Sequence, residues 1–120
     1  MSWALRSVLF FTAASLAFGA GMMATLQPGK ANLQSAGPMA FGPEGILFVG
    51  DYKAAAVVAL ATNDNKAAGK DVEIQGVHDK IAALLGTTPD QILINDMVIH
   101  PISKRGYLSV SRGRGPDASP

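Results

Sequence analysis

The chain has no cysteine, which removes disulfides and thiolate metal sites together and leaves burial and hydrogen bonding to hold the fold. Such a chain tolerates an oxidising compartment but gains nothing covalent from it. Charge is equally thin. Ten basic and nine acidic residues in 120 give a formal net charge of +1, too little for an electrostatic footprint on nucleic acid or an acidic partner. There is no His-x-x-His, no metal-spaced carboxylate pair and no Gly-rich phosphate loop, so no complete catalytic, metal or phosphate motif is present. What is abundant is apolar residue type, at 48%, punctuated by 13 Gly and 7 Pro, the profile of a turn-dense β protein rather than a helical bundle.

Residues 7–27 carry no charge, and residues 8–20 are almost purely apolar behind Arg6. A basic start followed by a short apolar stretch and small residues has the form of a secretory signal, with cleavage expected between about residues 19 and 24. The alternative is a retained anchor over residues 8–26, close to the roughly 20 residues that cross a bilayer. Either way the remainder is placed outside the cytoplasm, secreted or periplasmic, and meets a membrane only through the N-terminal segment. Residues 1–24 are therefore read as signal peptide or anchor and 25–37 as a linker rich in Gly, Pro, Ser, Asn and Gln. Residues 38–112 form the folded part, and 113–120 a flexible tail of turn formers and charges.

The folded part contains an echo. MAFGPEGILFVGD begins at Met39, and MVIHPISKRGYLSVSR begins at Met97; each runs from Met through apolar residues to a Pro, a Gly-containing turn and a second apolar run. Both are predicted to be β-hairpins, with Tyr107 answering Ile46 and Val110 answering Val49. In the first, Pro43 suits the opening of the turn and Gly45 a positive φ. Residues 54–60 and 72–74 are read as further strands. Between the echoes, Ile81, Leu84 and Leu85 at helical spacing, Asp79 in the first turn and Gly86 at the end predict a helix over residues 77–85. Thr88, Pro89 and Gln91 have the order of a capping box opening a single turn.

Through these two strings, residues 35–112 resemble blades of secreted β-propellers, the group with NHL-like, SMP-30-like and quinoprotein-like repeats. The resemblance implies a mainly β fold of antiparallel hairpins arranged as about two propeller-like blades, with one short inserted helix and an N-terminal signal or anchor helix. It also implies a loop-built pocket at one end of a longer propeller of which this chain is an N-terminal piece. The Met39-to-Met97 separation exceeds the usual blade of about 40–50 residues, and the inserted helix accounts for the excess. The function implied is an exported scaffold or ligand-binding segment without a complete catalytic site. The alternative is the first part of a propeller hydrolase, lactonase-like enzyme or quinone-dependent dehydrogenase whose catalytic residues lie in other blades.

Asp51 and Arg112, at strand ends, and His100, at the start of the second turn, are the candidate pocket-lining residues, although charges at turns are usually solvated. No catalytic residue or metal ligand is assigned, and the cofactor is left open. The partner expected is a small molecule or a protein, not nucleic acid. Residues 62–65, TNDN, lack the alternating acids and final Glu of a calcium loop and read as a turn. Residues 77–90 are similar to the first helix of an acyl carrier protein, but the Asp-Ser-Leu attachment site is missing, which excludes a carrier.

Overall fold

The computed structural model describes residues 21–120, and the protein is mainly β: two small antiparallel sheets and one helix. Most of the expected signal or anchor segment lies outside the described residues; within its last part, Met23–Thr25 forms one 3₁₀ turn. Among the described residues no helix is long and apolar enough to cross a membrane.

The first sheet is a three-stranded meander of β1 (Met39–Phe41), β2 (Ile46–Asp51) and β3 (Ala56–Ala61), in that spatial order. β1 pairs with β2 from Met39 opposite Val49 to Phe41 opposite Leu47, so the expected hairpin is present. Its turn, Pro43–Gly45, is tighter than the sequence suggests, because Glu44 as well as Gly45 takes a positive φ, 60° and 69°. The Glu44 carboxylate accepts the Met23 amide at 2.9 Å, which gives this strained residue a partner. β3 starts at Ala56 rather than Ala54. The reason is local: the Asp51 carboxylate accepts the Ala54 amide at 3.1 Å and Ala55 adopts φ 50°, turning the chain before it can extend.

Helix α1 spans Val77–Leu85, the predicted range, and ends on Gly86 at φ 66°, whose amide returns to the Ala82 carbonyl. Its orientation differs from the expectation. Ala82 is the buried residue while Leu84 is 85% exposed, because a small side chain lets the helix approach β4 closely. Residues 72–74 are irregular rather than a strand, and Val72 and Ile74 are exposed; among the described residues no strand pairs with this short segment. Pro89–Gln91 makes the expected single turn as a 3₁₀ helix closed by Gln91 N–H to Thr88 C=O, without a Thr88 side-chain cap.

The second sheet is the hairpin of β4 (Ile92–Ile99) and β5 (Gly106–Arg112). The two echoes therefore share a strand-turn-strand plan but not a register. Met39 faces Val49, whereas Met97 faces Leu108, two positions short of the Val110 that the alignment of the echoes requires. A β-bulge between Ile94 and Asp96 adds a residue to β4 and re-aims Asn95 and Asp96. The chain end does not leave the sheet: Arg112 and Ser119 bridge through two backbone hydrogen bonds, folding 113–118 into a loop.

The core lies between the sheets. Ala36, Leu47 and Val49 are buried, with Leu33, Met39, Phe41, Leu60, Val98 and Tyr107 packed around them. Removing most of the Leu47 side chain leaves a cavity at this junction. We expect Leu47→Ala to lower stability by about 2–5 kcal/mol, read as the shift of the urea unfolding midpoint, and a change below 1 kcal/mol would contradict this placement of the core.

Candidate functional site

Asp51 closes β2 and turns its carboxylate inward, where it is only 2% exposed. One oxygen accepts the Gln34 amide at 2.8 Å; the other accepts the Ser35 amide at 3.0 Å, the Ser35 hydroxyl at 2.7 Å and the Ala54 amide. Burial by itself raises the pKa of such a group, but these donors together outweigh it and hold the carboxyl below its ordinary value. The residue proposed from sequence to line a pocket thus ties the segment before β1 to the turn after β2. A shallow recess opens beside it, between Pro38, Tyr52 and Val57.

His100 is fully buried at the junction of the two hairpin turns. Its ring meets Phe41 edge-on at 4.7 Å between centroids, and Phe41 meets Tyr107 the same way at 5.2 Å. Nδ1 accepts the amides of Ile102 and Ser103 at 3.1 and 3.2 Å and therefore carries no proton. Nε2 lies 3.3 Å from the Thr62 hydroxyl, whose single proton goes to the Gly45 carbonyl at 2.8 Å. The proton between them must come from Nε2, so the bonding assigns a neutral imidazole protonated at Nε2. Gly45 permits this approach: a Cβ there would stand 3.0 Å from Nε2.

Next to the histidine, Asp64 accepts the Ser103 hydroxyl at 2.6 Å, the Tyr107 hydroxyl at 2.9 Å and a charge-assisted bond from Arg105, with which it forms an ion pair. The Ser103 bond is the main cause of its lowered pKa, with burial opposing and Tyr107 and Arg105 assisting. Burial and the Asp64 bond raise the Tyr107 pKa and keep the phenol a donor. Asp, His and Ser meet here without forming a nucleophilic relay. Ser103 is buried and donates to the carboxylate rather than to histidine, and the nitrogen facing Ser103 accepts that residue's own backbone amide. Asp64 was visible in the sequence only as part of a turn, Tyr107 only as a strand position matching Ile46, and Ser103 only as part of the second turn. Nothing local in the sequence announces a network that spans from residue 62 to residue 107.

Arg112, the third candidate, is exposed at the end of β5 and donates to the Leu85 carbonyl at 3.3 Å. The structure therefore distributes Asp51, His100 and Arg112 among three separate environments. Among the described residues no group of three or more His, Asp or Glu side chains could hold a metal ion.

A larger opening lies elsewhere, where the β2–β3 turn, the bulged end of β4 and the folded-back C-terminal loop meet. It is an open cleft of about 720 Å³ lined by Tyr52, Lys53, Leu93, Asn95, Ser111 and residues of the loop that include Arg114. Asn95, the bulge residue, is fixed by donating to the Ala36 carbonyl at 2.7 Å and the Ser111 hydroxyl at 2.8 Å. Lys53 donates to the Ala118 carbonyl and Arg114 to the Asp90 carbonyl at 2.8 Å, so both basic side chains hold the loop. No protein family, curated protein or solved structure matches the chain.

Asp51 and Asp64, which together with Asp90 have carboxyls held below their ordinary value, set a pH dependence. A group whose folded pKa lies below its unfolded value of about 3.9 contributes stability above that value and loses it as pH falls through the folded pKa. Asp51 and Asp64 both behave so. The urea midpoint should therefore hold between about pH 5 and 7 and fall steeply below pH 4. A D51N/D64N variant should start lower at pH 7 and fall less; an equally steep acid limb in the variant would show that other groups control it.

Proposed function

We propose that the chain is an exported scaffold or ligand-binding segment of propeller type, with no catalytic centre of its own, and that ligand binds in the cleft between the β2–β3 turn, β4 and the C-terminal loop. The observation that carries this reading is the contrast between the two kinds of site. The reactive side chains that the fold gathers, Asp51, Asp64, His100 and Ser103, are engaged in hydrogen bonds with neighbouring side chains and backbone amides, and none is exposed. The cleft, by comparison, combines accessible apolar surface with polar groups held in place, the usual composition of a small-molecule site, and its volume falls within the range of about 300–1,000 Å³ for such sites. The antiparallel hairpins and their shared plan support the propeller reading, and the uncharged N-terminal stretch behind Arg6 supports export.

A fragment screen followed by ¹⁵N amide shifts tests the site. Hits should converge on Tyr52, Leu93, Asn95 and Ser111. Convergence on Asp64, Ser103 and Tyr107, or ester hydrolysis that disappears in Ser103→Ala, would replace this reading with an enzymatic one. Export has its own check: residues 1–37 fused to a reporter enzyme that is active only outside the cytoplasm should yield activity, and replacing Leu9 and Phe10 by Glu should abolish it.

A further inference from the structure

We infer that the ligand of this cleft is a small organic carboxylate with an apolar body, an assignment that rests on reading the cleft as the ligand site. The charged residues that line it are Lys53 and Arg114, both basic, and no acidic residue is among the lining. Neither cation is neutralised by a salt bridge: among the described residues the one ion pair is Arg105 with Asp64. Their direct protein partners are neutral backbone carbonyls, of Ala118 and Asp90, which fix each side chain without an ion pair. Asp117, three residues after Arg114, is exposed and outside the lining of the cleft, and two other nearby carboxylates are engaged elsewhere. Asp51, two residues before Lys53, takes four donors of its own, and Asp90 is held mainly by its neighbours Thr88 and Gln91, with Arg114 a minor influence.

Arg114 is anchored through Nε, which leaves the two terminal nitrogens of its guanidinium to meet a carboxylate in the paired geometry that suits this group. Ser111 adds a donor, since its hydroxyl oxygen accepts from Asn95 and its own proton has no acceptor among the described residues. The apolar part of the ligand has Leu93, 44% exposed, and the ring of Tyr52, 69% exposed, to cover. A phosphate is a poorer match. Its recognition commonly uses several backbone amides converging at a glycine loop or helix start, and here the Gly113 amide is already bonded to the Gln91 carbonyl.

Benzoate, benzyl alcohol and benzylammonium share one ring and differ in charge, so they separate this inference from the reading beneath it. Titrated into the ¹⁵N-labelled full chain at constant ionic strength, benzoate should shift the amides of Lys53, Leu93, Asn95 and Arg114. It should bind about tenfold more tightly than benzyl alcohol, the margin of one charge-assisted hydrogen bond, and benzylammonium should be weakest. K53M/R114Q should reduce benzoate to the level of the alcohol measured on the same variant, and K53R, which keeps both charges and the Arg114 guanidinium, should retain the preference. If the alcohol binds the cleft as well as benzoate does, the carboxylate assignment falls and the ligand site stands. If none of the three shifts cleft amides, both fall. If K53M/R114Q loses the amide dispersion of the parent, the single variants decide: benzoate preference undiminished in both K53M and R114Q, with the fold intact, overturns the assignment.

Discussion

The backbone of residues 36–39 is bonded on both of its edges, and the two sheets are joined through that segment. On one side Gly37 donates to the Gly50 carbonyl at 2.9 Å and Pro38 accepts from the Gly50 amide at 2.8 Å, prolonging the β1–β2 pairing. On the other, side chains of the second sheet take the place of a neighbouring strand. Asn95 bonds the Ala36 carbonyl, Ser109 the Gly37 carbonyl at 2.8 Å, and Asp96 the Met39 amide at 2.8 Å. A buried backbone group without a partner is costly, so these bonds fix how the sheets meet. Gly37 belongs there for a steric reason as well: a Cβ would stand 3.0 Å from the Gly50 carbonyl oxygen.

This arrangement explains why polar side chains sit at the centre of a protein whose apolar core is small. Ser35, Asp51, His100, Ser103 and Ser109 are nearly inaccessible, and each satisfies groups that the strands leave open. Chemistry-bearing residue types are used as structural connectors. The cleft follows from the same geometry, since the bulge that turns Asn95 and Asp96 toward residues 36–39 also shapes the end of β4 beside Tyr52 and the C-terminal loop.

The hairpins, the helix with its bounds at Val77 and Leu85, and the turn at Pro89 could be read from sequence because each depends on signals within a few residues: Gly and Pro at turns, apolar spacing, a left-handed glycine. Reading failed where distant contacts decide. Residues 72–74 alternate like a strand but find no neighbour, and Leu84 has the spacing of a buried residue yet faces solvent because Ala82 makes the closer approach. The site was less legible still. Of its side chains only those at strand ends or at the start of a turn stood out, and Asp51 and His100 are internal connectors, whereas Tyr52, Lys53 and Arg114 of the cleft carry no motif.

Sequence by itself determined which segments extend, turn or coil, and that two of them follow one hairpin plan, because those properties are set by backbone preferences and short-range apolar period. Only the tertiary structure decided the register of the second hairpin, the bulge, the protonated nitrogen of His100 and the cleft. Each of these depends on which groups distant in the chain reach one another: Tyr107 with Asp64, Asn95 with Ala36, Lys53 with Ala118. No local pattern encodes such meetings, since the bond forms only after packing has brought its two ends within about 3 Å.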